Sequence, residues 1–173
     1  FRMKVLGYDP HVSAETMAAA GVKKYDQLRD LLAASDFVSL HAVLNPETHH
    51  LIGPDELQMM KPSAVLINVS RGALVDEGAL LQALQAGRIA GAGLDVYSRE
   101  PLLLSGHPLS PLFELPNVML LPHLTFYTHE AMERLENETL QRCDELLAGR
   151  PVRVKSRDPR LRSQTHGVVF DPP

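Results

Sequence analysis

The chain has 173 residues, 45% of them hydrophobic, enough for one domain-sized core and hardly for two. Charged residues make up 22% and the formal net charge is -4, which excludes the basic excess of a nucleic-acid binder and the acidity of a disordered tail. No apolar run approaches the roughly 18 residues that span a bilayer, no signal-peptide order opens the chain, and its one cysteine, Cys143, excludes an internal disulfide, so a cytoplasmic protein with a small-molecule partner and no membrane partner is expected.

The first residues, FRMKVLGYDP, run directly into a strand from Met3 to Tyr8, closed by Asp9-Pro10, where proline disfavours helix at the residue before it. The chain therefore reads as a domain entered part-way, incomplete at its N-terminus. Ser13 is placed to cap a helix to about Ala20 that Gly21 ends, and Asp26 to cap another on which Leu28, Leu31 and Leu32 share a face. A strand from Phe37 to Leu44, a short helix around Asp55 to Met60, a strand from Ala64 to Val69, a helix from Glu77 to Leu84 ended by Gly87, and a strand from Ala90 to Val96 follow. A Pro-rich connection from Pro101 to Pro116 leads to a strand at Val118 to Leu121 and a long helix from about His129 to Leu147. Met132, Leu135, Leu140, Cys143, Leu146 and Leu147 lie on its apolar stripe, where Cys143 reads as a small core or boundary hydrophobe.

Continuous apolar strands alternating with amphipathic helices predict an α/β fold, a doubly wound parallel sheet covered on both faces, over residues 1–150. Residues 151–173 lose the periodicity and carry five basic residues between Arg153 and Arg162. They read as a C-terminal tail or returning segment, with phosphate or partner binding as the alternative. In a doubly wound sheet ligands bind beyond the carboxyl ends of the strands, where Asp9, His41, Asn68 to Gly72, Asp95 and His123 fall.

Asp9, ending VLGYDP, is placed to accept hydrogen bonds from both ribose hydroxyls of an adenosine and would repel a 2′-phosphate, favouring NAD over NADP. Alone, such an aspartate is as readily a turn residue. GRIAGAG, Gly87 to Gly93, follows a helix and enters a strand, the reverse of a phosphate-binding turn, so it reads as a helix cap plus small residues for close sheet packing. Arg71 in INVSRG offers a two-pronged grip for a carboxylate, with Gly72 freeing the backbone to turn. Glu100 in DVYSREP is a carboxylate held before a proline, and His123, at the end of VMLLPH, is the side chain suited to exchange a proton near neutral pH. Met singly, Arg71 and His123 are more commonly structural and Glu100 a solvated surface residue; together at one sheet edge they make a cation for an acid substrate, a proton donor and a carboxylate to tune it. His49 and His50 are adjacent and point different ways on either regular structure, so no metal site is expected. No nucleophile elbow, P-loop or CxxC motif occurs.

The stretches VLGYDP, DFVSLHAVLNPETHHLI, MKPSAVLINVSRGALVDEGALLQAL, GRIAGAGLDVYSREP and LPNVMLLPHLTFYTHEA resemble, in order, the nucleotide-binding domain of the D-isomer-specific 2-hydroxyacid dehydrogenases. The resemblance implies a Rossmann-like fold, NAD as cofactor, a small 2-oxo or 2-hydroxy acid as substrate and a homodimer. It further implies that Arg71 binds the substrate carboxylate and keto group, that His123 is the acid/base, and that Glu100 pairs with it. Asp9 would hold the adenosine ribose, Val69 and its turn the nicotinamide side, and Asp95 the carboxamide, with Arg71 and His123 also among the cofactor-binding residues. Val43 and Asn45 stand where the family often has a proline-threonine pair, and Phe126 and Tyr127 replace a glycine-rich stretch, which would reshape the pocket wall. The family's N-terminal portion and glycine-rich turn are not among these residues. REPLLLSGHPLSPL and HHLI are also similar to the C-terminal-binding protein corepressors, which couple NAD binding to protein partners, and so imply an alternative, nonenzymatic reading.

Overall fold

The computed structural model describes residues 2–154 and 168–170, the last three by their backbone. The chain divides into two compact units, Phe1–Thr125 and Phe126–Pro173. In the first, β1 (Val5–Gly7), α1 (Ala14–Ala19), β2 (Val22–Lys24), α2 (Leu28–Ala34), β3 (Phe37–Leu40), α3 (Pro54–Met59), β4 (Val65–Asn68), α4 (Glu77–Gln85), β5 (Gly91–Leu94) and β6 (Val118–Leu120) alternate along the chain. All strand pairs are parallel: β1 lies on β2, and β3, β4, β5 and β6 form one sheet in chain order.

The buried strand positions are those the apolar runs mark. Val38, Leu40, Leu66, Ala92 and Leu94 meet Leu32, Leu57, Met60, Leu80, Leu84 and Leu112 from the helices and loops in one core. Local chemistry sets where helices begin. Ser13 accepts from the Thr16 N–H at 3.2 Å, Asp76 from the Ala79 N–H at 3.0 Å, and Glu56 reaches back to the Gly53 N–H at 3.0 Å with Pro54 opening α3. Gly21 and Gly87 end α1 and α4 with positive φ, +74° and +64°, a conformation other L-residues adopt only at a cost.

Several expectations need correction. Asp26 caps nothing: α2 starts after Gln27, which makes no side-chain cap, and Asp26 sits 4.0 Å from the Lys24 ammonium. The strand β2 has one apolar residue in three and leaves no apolar run to read; Lys24 anchors its end by donating to the Val12 carbonyl at 2.7 Å. His49 and His50 lie in a turn, not a regular element, and there their rings stack at 3.9 Å instead of diverging. Gly91 does permit close packing, since a Cβ there would lie 2.5 Å from the Asn117 carbonyl oxygen, whereas Gly93 has open space.

In the second unit Thr128 caps α5 (His129–Leu147), and β7 (Val152–Val154) pairs with β8 (Val168–Phe170). The apolar stripe on α5 is present but uncovered. No residue of the helix is buried, Leu135, Leu140, Leu146 and Leu147 are exposed, and Cys143 is an exposed thiol, neither core nor boundary. Periodicity identifies a helix face; it does not supply what packs on it. Most of the basic stretch between Arg153 and Arg162 lies outside the described residues.

Candidate active site

The four-stranded sheet puts its carboxyl ends in one row, with Leu40 beside Asn68, Asn68 beside Leu94 and Leu94 beside Leu120. The segments that follow those residues, bearing His41, Val69 to Arg71, Asp95 and His123, therefore leave from a single edge, as loops beyond parallel strands must.

Each loop is shaped by side chains of its own. After β4, buried Asn68 bridges the turn: its Nδ2 donates to the Arg71 carbonyl at 2.9 Å and its Oδ1 accepts from the Ser70 N–H at 3.1 Å, with Val69 held between. The Ser70 hydroxyl donates to the Ala42 carbonyl at 2.8 Å, tying this turn to the one after β3. Arg71 is exposed and donates from Nη1 to the Ser70 carbonyl at 2.7 Å; among the described residues no carboxylate pairs with it. Gly72 is needed for space and not for turning. Its φ is not positive, but a Cβ there would sit 2.0 Å from the Tyr97 carbonyl carbon and 2.1 Å from the Ser98 nitrogen. The loop of Arg71 is thus in direct contact with the loop of Glu100.

That second loop is pinned at successive residues. The Tyr97 N–H donates to Glu100 Oε1 at 3.0 Å and the Ser98 N–H to Glu77 Oε1 at 2.8 Å. The buried Tyr97 phenol lies 2.9 Å from the Leu121 carbonyl and 3.1 Å from that of Leu94, joining the ends of β5 and β6. Burial above all, with Asp95, Glu100 and Glu77 nearby, pushes this phenol up to about 12 against the pull of the Leu121 bond, so it stays a donor and takes no part in proton exchange near neutral pH.

His123 stands 2.9 Å from Glu100 through Nδ1. The hydrogen bond to His123, aided by the Tyr97 amide, holds the Glu100 carboxyl below the ordinary range despite its partial burial. An ionised carboxylate only accepts, so the proton of this bond is on His123 Nδ1. The backbone at His123 is left-handed, φ +59°, a conformation uncommon outside glycine, asparagine and aspartate though reached by histidine more than by most. Asp95 holds it there. Buried after β5, it accepts from the Leu124 N–H at 2.7 Å on Oδ1 and from the Thr125 N–H and hydroxyl at 2.9 and 2.5 Å on Oδ2. Burial raises the Asp95 pKa, but the Thr125 and Leu124 bonds and the nearby His123 outweigh it, and the net shift is downward.

Both carboxyls have folded-state pKa values below their unfolded ones, so the stability they contribute is present above the ordinary carboxylate range and is lost as the pH falls through the lowered values. Asp95→Asn is therefore expected to be less stable than the wild type near pH 7, with the gap closing below about pH 4. Urea denaturation at a series of pH values measures this; a gap independent of pH would contradict it.

A cleft of about 610 Å³ lies between β1 and β3, each an edge strand of its own sheet among the described residues. Leu6, Asp9, Pro10, His11, His41 and Val43 are among its walls. Asp9 uses Oδ1 to accept from the His11 N–H at 2.7 Å, as a turn aspartate does, and keeps Oδ2 for a hydroxyl group. A slot with Leu6, Leu28, Leu31 and Val38 in its walls and the carboxylates of Asp9 and Glu47 beside them can take an adenosine, and a carboxylate such as Asp95, with three of about four acceptor positions used, has one left for an amide. Asn45 caps its own turn by accepting from the Glu47 and Thr48 amides, each at 2.9 Å. Phe126 and Tyr127 belong to the second unit, where their rings meet edge-on at 6.2 Å.

The site residues named from the sequence thus come together as follows: Arg71, Asp95, Glu100 and His123 follow the strand ends at one edge, Glu100 and His123 are hydrogen-bonded to each other, and Asp9 stands at the cleft. Tyr97, Thr125 and Asn68 as a turn-former were missed; a tyrosine directly after a strand and a hydroxyl two residues past a candidate histidine are the signals that point to the first two.

The sequence profile described as D-isomer specific 2-hydroxyacid dehydrogenase, NAD binding domain, matches residues 1–125. The chain belongs to this family. The chain is 48% identical over 133 residues to a glyoxylate reductase of Thermococcus litoralis, covering 77% of this chain and 38% of that protein. It is 52% identical over 120 residues to a glyoxylate/hydroxypyruvate reductase B of Pectobacterium carotovorum, covering 69% and 35%. Its fold superposes with a TM-score of 0.74 and 36% identity on a D-lactate dehydrogenase of Aquifex aeolicus solved with NAD and lactic acid, covering 85% of this chain and 47% of that one. The chain thus spans less than half the length of these relatives. NAD is the cofactor of this domain family, and the residues present fit it. No helix among the described residues is long and apolar enough to cross a membrane.

Proposed function

We propose that this domain serves an NAD-dependent oxidoreductase acting on a small 2-oxo or 2-hydroxy acid of D configuration. The observation that carries the reading is the 2.9 Å His123–Glu100 pair standing on the same sheet edge as the Arg71 guanidinium, with which no carboxylate pairs among the described residues. NAD, when bound, supplies or removes the hydride at the 2-carbon of the acid. Asp9 would hold its adenosine ribose, Val69 and the Asn68–Arg71 turn would border the nicotinamide, and Asp95 would take the carboxamide.

The protein's part is orientation and proton transfer. Arg71, with most of its N–H groups available, grips the substrate carboxylate and steadies the keto oxygen. Glu100 keeps the proton of Nδ1 in place, so Nε2 is the nitrogen that gives a proton to the developing alkoxide in reduction and takes one in oxidation. The glyoxylate reductase and D-lactate dehydrogenase names of the relatives support a small 2-oxoacid as substrate. Assembly as a homodimer belongs to the same reading.

The test is the full-length protein with NADH and a panel of 2-oxoacids, glyoxylate, hydroxypyruvate and pyruvate among them, followed at the absorbance of NADH. Turnover on at least one is expected, and none on any would reject the proposal. Arg71→Lys retains charge but not the fork, so KM for the acid should rise by about 10- to 100-fold while NADH binding stays unchanged.

A further inference from the structure

His107 is a histidine that the proposed reaction does not use, yet it is 7% exposed and both ring nitrogens are engaged. The Leu109 N–H donates to Nδ1 at 3.0 Å, which means that Nδ1 carries no proton. The ring proton is therefore on Nε2, and it is donated to the Arg99 carbonyl, also at 3.0 Å. The imidazole spans the loop after β5 as a rigid strut between Leu109 and Arg99. Ser110 reinforces it: its Oγ accepts from the His107 N–H at 3.2 Å and lies 3.0 Å from the Leu103 carbonyl and 2.8 Å from that of His107.

Arg99 is the residue before Glu100. Tyr97 is fixed to the strand ends by its phenol, and the Ser98 amide is fixed to Glu77. The Arg99 carbonyl is the next attachment along the chain, and His107 is the side chain that holds it. An apolar ring would fill the same space without directing a donor at that carbonyl. Packing alone thus does not account for the histidine.

We propose that His107 is a positioning residue for the Glu100–His123 pair, fixing through the Arg99 carbonyl the direction in which the Glu100 carboxylate meets His123 Nδ1. The role rests on the reading of His123 as the acid/base. It acts through Glu100 and requires no contact with substrate or cofactor.

Three variants of the full-length protein test it. His107→Gln keeps a donor near the place of Nε2, His107→Asn keeps an acceptor near the place of Nδ1 for Leu109 but withdraws the donor from Arg99, and His107→Phe removes both. Two readouts are taken: kcat and KM with NADH and a 2-oxoacid, and the tautomer of His123 by side-chain nitrogen NMR, which needs no turnover. The Nδ1–H tautomer of His123 is expected to dominate in the wild type and His107→Gln, and to give way to a mixture in His107→Asn and His107→Phe. In those two kcat should fall about tenfold with KM little changed. Because His107→Asn keeps the Leu109 bond, its thermal midpoint should stay closer to the wild type than that of His107→Phe. A wild-type tautomer and kcat in His107→Asn would overturn the proposal, as would an equal loss in His107→Gln and His107→Phe. A wild type without turnover but with the tautomer response intact would reject the dehydrogenase reading and support the positioning role.

Discussion

Replacing His123 by asparagine is expected to lower kcat by about 10²- to 10⁴-fold, the range contributed by a positioned proton donor, with NADH affinity unchanged. Asparagine is the informative substitution because the backbone at position 123 is left-handed, which asparagine tolerates and alanine does not. A fall in His123→Asn then reports the missing proton, whereas His123→Ala adds the backbone cost and should melt lower. The loss of the histidine also withdraws the largest influence holding the Glu100 carboxyl down, so that group should titrate closer to its ordinary value. Stopped-flow turnover, NADH fluorescence titration and carboxyl NMR measure the three effects. An unchanged rate in both variants would remove His123 from the reaction.

The second large effect is expected at a residue with no chemistry. Gly72→Ala places a methyl group about 2 Å from the backbone of Tyr97 and Ser98, and backbone cannot step aside as a flexible side chain does. The loop of Arg71 and the loop of Glu100 must separate. The domain should lose about 1–3 kcal/mol or more, and kcat/KM about 10²-fold, since displacements near 1 Å at a reacting centre cost that much. Gly93→Ala is the control, because its Cβ would meet nothing within 4 Å, and it should leave both quantities near wild type. Equal behaviour of the two variants in chemical denaturation and in turnover would refute the contact.

The alternation of apolar runs and amphipathic segments made the parallel sheet legible, since β3, β4, β5 and β6 bury alternate or successive side chains in the same core. What failed was local. β2 is held by backbone pairing with β1 and by Lys24, neither of which leaves an apolar signature, and Asp26 had the right chemistry one residue too early for a cap. At the site, residue types and order were legible for Arg71, Glu100 and His123, because the chemistry demands a fork, a carboxylate and an imidazole. Their supports were not. Asn68, Tyr97 and His107 act by hydrogen bonds to backbone groups and Thr125 by its hydroxyl to the Asp95 carboxylate, contacts that are distant in sequence or visible only once the loops are folded, and Gly72 matters for a neighbour 25 residues on, which no local rule for glycine reveals.

Three carboxylates hold the amides of the two functional loops: Glu100 that of Tyr97, Glu77 that of Ser98, and Asp95 those of Leu124 and Thr125. The core beneath, around Leu32, Leu66 and Leu80, is packed from apolar side chains that bind no protons. Acid is therefore expected to weaken the reactive edge first, as the lowered carboxyls of Asp95 and Glu100 take up protons. The loops become hydrogen-exchange competent by local opening while the sheet is still protected, so the pH at which activity is lost irreversibly lies below the pH at which the site first comes apart.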